Sequence, residues 1–162
     1  MTKHAYTKLD LPADIAGSIL SFSLDPKHVL KRETEPHVTV KFALDATHEQ
    51  AAEALKGEFP VRATFGTTSL FKTPDADVLK VEVTGHGLHA LHRKLNRLPH
   101  DDSHAVYVPH ATIAFLKPGE GRKYSGKSVR RLTGRTVTLR SVAYSDKDGT
   151  VKHIPLEGNS RA

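Results

Sequence analysis

Two stretches of this chain carry one pattern: Pro36-His37-Val38-Thr39-Val40 and Pro109-His110-Ala111-Thr112-Ile113. In an extended strand, residues i and i+2 project from the same face. Each stretch therefore sets an imidazole beside a hydroxyl and turns Val38, Val40, Ala111 and Ile113 the other way. Regular alternation over 37–42 places Val38, Val40 and Phe42 on the apolar face and His37, Thr39 and Lys41 on the polar one. One such stretch is what any sheet with a single buried face would show. Two copies 73 residues apart constrain the fold further. The interval is too long for a solenoid repeat, and it fits two copies of one supersecondary unit packed about a pseudo-dyad.

The surrounding pattern supplies the rest of each unit. Residues 4–11 alternate as a strand closed by Pro12, and Ile15, Ile19, Leu20 and Phe22 follow at helical spacing over about 13–24. Residues 26–36 are polar and read as a loop. A short helix is expected over 47–57, ending at Gly57. Strands are expected over 61–71 and 78–83, joined by a Pro74-Asp75 turn. Leu88, Leu91, Leu95 and Leu98 mark an amphipathic helix over 86–98. A strand over 107–116 carries the second stretch. The segment 136–144, the Asp146-Lys147-Asp148-Gly149 turn and 151–156 read as a last hairpin. Mixed elements without strict alternation predict an α+β fold. Residues 1–162 are read as one domain, with pseudo-symmetric halves over about 1–75 and 76–158.

The chemistry begins with histidine, the side chain that exchanges protons near neutral pH. If the two strands lie side by side, two imidazoles and two hydroxyls line one groove. One neutral imidazole can take a proton from an attacking oxygen while the other, protonated, gives one to a leaving oxygen. The hydroxyls can donate to the non-bridging oxygens of a phosphate. That set suits in-line displacement at phosphorus and calls for no metal and no cofactor. The formal charge of +6 suits a polyanionic ligand. With no cysteine in the chain, disulfides, thiolate metal sites and a cysteine nucleophile are excluded. No apolar run approaches the ~20 residues that span a bilayer. No apolar h-region follows Met1 to Tyr6, so no signal peptide is expected and a cytoplasmic setting is inferred.

The paired motif resembles the signature of the two-histidine (2H) phosphoesterases, which include 2′-5′ RNA ligase-like proteins and cyclic nucleotide phosphodiesterases. The resemblance extends to the opening strand ending in Pro12, the intervening hairpin and the leucine-bearing helix. It implies a bilobal α+β fold, two antiparallel-sheet lobes with outer helices, and a central cleft holding His37, Thr39, His110 and Thr112 as catalytic residues. Two further stretches, 32–37 and 114–124, resemble a phage-encoded branch that includes anti-CBASS enzymes. These degrade cyclic di- and trinucleotide signals of antiphage defence in the host cytoplasm. The alternative substrates are 2′,3′-cyclic phosphate ends and 2′-5′ or 3′-5′ linkages in small RNA pieces. No membrane and no obligate protein partner is implied, and a monomer is expected.

Beyond the quartet, Lys41 is a candidate phosphate contact. Tyr124 is a candidate base platform, set against the alternative of a packing aromatic. Lys117 and Arg122 stand in the densest basic run, with Lys123, Lys127, Arg130 and Arg131, and are candidate substrate contacts. His86, His89 and His92 have a spacing zinc can use, yet no carboxylate accompanies them, and a polar helix face is the better reading. His100, Asp101, Asp102 and His104 crowd one loop, read as a polar connection rather than a metal site or lid. Two competing functions are a non-catalytic sponge for cyclic nucleotides and a general RNA-binding protein that uses the basic run.

Overall fold

The computed structural model describes residues 3–101 and 106–158. Its strands in chain order are β1 (Ala5–Asp10), β2 (Val29–Arg32), β3 (His37–Leu44), β4 (Val61–Lys72), β5 (Asp77–Thr84), β6 (His110–Leu116), β7 (Thr136–Leu139), β8 (Ser141–Ser145) and β9 (Val151–Pro155). The helices are α1 (Ala13–Leu20), α2 (His48–Ala54) and α3 (His86–Leu95). All nine strands join one antiparallel sheet in the order β7-β4-β5-β6-β3-β1-β8-β9, with β2 on the far end of β6. The two expected lobes are therefore two halves of one continuous sheet, meeting where β3 lies against β6.

Local signals explain the helices. Thr47 and Gln50 form a reciprocal capping box at the start of α2, each side chain bonded to the other's backbone N–H. Ile15 and Ile19 of α1, and Leu88, Leu91 and Leu95 of α3, are buried. With Leu9, Val38, Val40, Leu79, Val81, Ala111 and Ile113 they form the core on one face of the sheet. Truncating any of these leucines to alanine costs about 2–5 kcal/mol.

Two expectations need correction. Within the loop predicted over 26–36, residues Val29–Arg32 form β2, because β3 diverges from β6 after one pair and leaves that edge of β6 open. The strand predicted over 136–144 is two strands in opposite halves of the sheet, β7 at one edge and β8 one strand in from the other. β7 pairs with β4 and β8 with β1, and Arg140 alone separates them. Two residue steps reach at most about 7.6 Å between Cα atoms, so the sheet must curl until its ends meet. It forms a half-barrel clasped at Arg140.

The halves match in detail. β1 flanks β3 as β5 flanks β6. Each motif strand carries a β-bulge just past its threonine: β1 skips Val40 and β5 skips Ile113 in the pairing. A bulge shifts the alternation by one residue. Val40 and Lys41 are both buried and Phe42 is exposed; Ile113 and Ala114 are both buried and Phe115 is exposed. Phe42, expected on the apolar face with Val38 and Val40, therefore sits on the side of His37 and Thr39.

Candidate active site

The pair Val38–Ala111 is the hinge of the site. In an antiparallel ladder the residues flanking a pair face each other crosswise. The register thus sets His37 on the side of Thr112 and Thr39 on the side of His110, all four on one face. Outward of the quartet, Lys80 of β5 pairs with Thr112 and Glu82 with His110, while Lys8 of β1 pairs with Thr39 and Asp10 with His37. Two rows cross the sheet: Lys80-Thr112-His37-Asp10 and Lys8-Thr39-His110-Glu82. The pseudo-dyad exchanges them, and each reads cation, hydroxyl, imidazole, carboxylate.

Both imidazoles are held in the same way. His37 Nδ1 lies 2.8 Å from the Glu35 carbonyl and His110 Nδ1 lies 2.8 Å from the Val108 carbonyl. A carbonyl only accepts, so each Nδ1 carries hydrogen and each Nε2 is left as the proton-exchanging atom. The buried prolines between, Pro36 and Pro109, accept from Leu11 N and Val83 N at matching positions. Burial, chiefly, holds the His110 imidazole below its ordinary pKa; the Lys80 and His37 charges push the same way and the Val108 hydrogen bond opposes them.

The lysines differ. Lys8 Nζ lies 3.0 Å from Asp10 Oδ1. Burial pulls its pKa down, but Asp10, by hydrogen bond and charge, outweighs it and the net shift is upward. Lys80 Nζ instead lies 2.6 Å from the Ser69 hydroxyl on β4. Neither lysine was singled out from the sequence. The signal was present: Lys8-Leu9-Asp10-Leu11 and Lys80-Val81-Glu82-Val83 repeat one pattern ahead of their histidines, by 29 and 30 residues.

The bulge carbonyls of the first half are bound by side chains. Tyr107 donates its hydroxyl to the Thr39 carbonyl at 2.7 Å, and His92 Nδ1 reaches the Val40 carbonyl at 2.7 Å. The two rings stack with centroids 4.2 Å apart, and His89 meets Tyr107 edge-on. Burial drives the Tyr107 phenol far above its usual pKa, so it stays a donor. Two of the three α3 histidines thus buttress the first motif. In the second half, the Ile113 carbonyl accepts from the main chain of Glu33.

A family model for the 2′-5′ RNA ligase superfamily matches residues 22–150. The chain belongs to that superfamily. Solved structures agree on the fold. The Thermus thermophilus protein TT0787 superposes with a TM-score of 0.66 at 18% identity, covering 96% of this chain and 99% of that one. Escherichia coli LigT complexed with 3′-AMP gives 0.61 at 18% identity, covering 97% of each chain. LigT complexed with phosphate gives 0.56 at 19%, covering 95% of this chain and 94% of that one. No curated protein sequence matches the chain significantly. The superfamily is that of the two-histidine phosphoesterases, so the resemblance in the paired motifs and the α+β fold both hold.

The substrate-binding candidates fare differently from the quartet. Lys41 is 2% exposed and pairs with Thr7 on the face opposite the histidines, because the bulge at Val40 reverses its side. Tyr124 is buried rather than open for stacking. Its ring packs edge-on against Phe22 and His28, and its hydroxyl accepts from Asp25 N at 3.0 Å. Lys117 follows the last residue of β6, about 15 Å along the strand from Thr112. Arg122 stands exposed in the same loop. That loop is tied to the face away from the quartet by Asp77, which accepts from Gly119 N and Gly121 N at 3.1 and 3.0 Å. Tyr124, Val129 and Leu132 then pack it into the core. Charge density alone drew attention to this run; its buried apolar residues decided where it went. Of the 100–104 loop, His100 bridges to Leu44 and Asp101 N donates to Ala43 O. Asp102 and His104 lie outside the described residues. Among the described residues no helix is long and apolar enough to cross a membrane.

Proposed function

We propose that this superfamily member is a phosphodiesterase acting on small oligonucleotides, with His37 and His110 as the acid–base pair. The observation that carries the reading is the crossed quartet, in which both Nδ1 atoms are tied to main-chain carbonyls and both Nε2 atoms are left for proton transfer. His110, held below its ordinary pKa, stays neutral over more of the pH range and is assigned as the base, with His37 as the acid. In the reaction, His110 Nε2 takes the proton of a ribose 2′-hydroxyl. The 2′-oxygen bonds to phosphorus, and the bond from phosphorus to the 5′-oxygen breaks. That oxygen leaves with the proton of His37, and a 2′,3′-cyclic phosphate remains. Thr39 and Thr112 donate to the phosphoryl oxygens. The acid, the base and the oxyanion donors are all protein groups, so this sequence needs no metal.

Phe42 is 50% exposed and Phe115 is 36% exposed, one in each half and both on the quartet face. A ring on either side of the reacting phosphate favours a diester flanked by two nucleosides over a terminal cyclic mononucleotide. Cyclic di- and trinucleotides, of the kind used as antiphage defence signals, meet that requirement. The LigT complexes with phosphate and 3′-AMP support a nucleotide phosphate as ligand for the fold. The experiment is a chromatographic screen, in EDTA, of cyclic di- and trinucleotides against 2′-5′ dinucleotides and 2′,3′-cyclic mononucleotides. Turnover of the cyclic oligonucleotides, unchanged by EDTA, is expected. Full loss of turnover in EDTA refutes the metal-free sequence. Recovery of intact nucleotide from the bound protein would make it a sponge.

A further inference from the structure

We propose that Lys80, parked on Ser69, is a catalytic residue that binds a non-bridging oxygen of the scissile phosphate, so that the substrate supplies the counter-charge this half of the site lacks. The proposal rests on the phosphodiesterase reading above and deepens it. Lys80 is 9% exposed, and the one hydrogen bond of its ammonium among the described residues goes to the neutral Ser69 hydroxyl at 2.6 Å. A buried cation without an anion is costly, and such an arrangement persists where something else provides the charge. The dyad-related lysine shows the self-sufficient alternative. Lys8 is equally buried, at 8% exposed, but holds Asp10 at 3.0 Å. Glu82 occupies the position in the second half that Asp10 occupies in the first, yet it forms no ion pair with Lys80 among the described residues. One half of the site is neutralised by the protein and the other is not.

Register gives the direction. Lys80 and Thr112 are cross-strand partners on the quartet face. An ammonium and a hydroxyl so placed can donate to one phosphoryl oxygen. The Lys80 charge is one of the influences that hold the His110 imidazole below its ordinary pKa, and a turn of its side chain from Ser69 on β4 toward Thr112 on β6 brings the ammonium to the quartet. It transfers no proton. It stabilises the negative charge on the equatorial oxygen while the 2′-oxygen bonds to phosphorus and the 5′-oxygen departs. Ser69 keeps the ammonium in place without neutralising it, and two donors remain for the anion.

The test compares Lys80→Met, Lys80→Arg, Ser69→Ala and Lys8→Met, each checked for native near-ultraviolet dichroism. Two measurements are made on each: the Kd for inorganic phosphate by NMR titration, and kcat and KM for the best diester of the screen. Lys80→Met should weaken phosphate binding at least tenfold and lower kcat by about 10²–10³-fold. Lys80→Arg should recover most of both, Ser69→Ala should fall between, and Lys8→Met should lose at least tenfold less than Lys80→Met. A loss confined to KM, or equal losses at Lys8 and Lys80, overturns the proposal. So does unaltered phosphate binding in Lys80→Met; if that variant is misfolded, a Ser69→Ala that matches wild type in both measurements does the same. If the wild type cleaves no diester but its phosphate binding still depends on Lys80, the phosphodiesterase reading fails and the anion contact stands. If the wild type cleaves and Lys80→Met matches it, the reverse holds.

Discussion

The half built on β1 and β3 and the half built on β5 and β6 use the same plan and finish it differently. Both place a lysine beside a threonine, a carboxylate beside a histidine, and a bulge past the threonine. In the first half Lys8 is closed by Asp10, and the bulge carbonyls are bound by the Tyr107 and His92 side chains. In the second, Lys80 rests on Ser69 and the Ile113 carbonyl is bound by main chain. Duplication supplies the symmetric frame, and a few side chains on the neighbouring strands break it. That break gives the two imidazoles different surroundings, and with them a preferred assignment of proton acceptor and proton donor.

The largest test of the comparison is to remove one imidazole at a time. His37→Ala and His110→Ala should each cut kcat by about 10²–10⁴-fold with folding intact. They should differ in pH dependence: the limb set by the base disappears in His110→Ala, and the limb set by the acid disappears in His37→Ala. Identical residual profiles would mean that the halves are functionally equivalent. Next come the aromatics. Phe42→Ala and Phe115→Ala each remove a stacking surface worth about 1–3 kcal/mol per base. Their main effect should be on KM, and dinucleotides of mixed sequence should reveal which base each half holds. Tyr107→Phe removes one donor to Thr39 O and should cost about 1 kcal/mol of stability in urea unfolding, with kcat reduced several-fold.

The smallest effect is a shift along the pH axis. The charged and titratable groups facing His110 are Lys80 and Glu82 from β5 and His37 from β3. Its lowered pKa keeps the base neutral to a lower pH, so the acid limb of kcat/KM should lie below the ordinary imidazole value of about 6.5. Lys80→Met removes one of the lowering charges and should move that limb upward, read by histidine NMR even where turnover is weak. The same shift couples to folding. The unfolded chain binds the proton more readily than the native one, so the stability tied to neutral His110 is present above about 6.5 and is lost as pH falls from there through the native value.

The fold class and the quartet were legible in the sequence because each depends on local pattern. The motif residues are two apart on short strands, which any pleated strand resolves. What escaped lay across strands. Lys41 was assigned to the wrong face because the bulge at Val40 is a property of pairing with β1, not of the segment itself. Tyr124 takes the packing alternative rather than the base platform, and the partners that decide this, Phe22, Asp25 and His28, lie about a hundred residues away. Lys8 and Lys80 acquire meaning only as partners of Thr39 and Thr112. The split of 136–144 into β7 and β8 depended on knowing that both ends of the sheet arrive at one place.

That junction at Arg140 also orders events in time. β7 completes the edge beyond β4, and β8 pairs with β1, joining Ala143 to Lys8 across almost the whole chain. A nascent chain that has emerged only as far as residue 135 holds both motif strands but leaves two edges of the sheet open at once. Open edges recruit foreign strands, and pairings between distant residues form slowly. β7 and β8 follow one another directly, so they cover the long β4 and β1 edges together and leave the short strands β7 and β9 outermost; the interval before they do is when these two edges are most open to foreign strands.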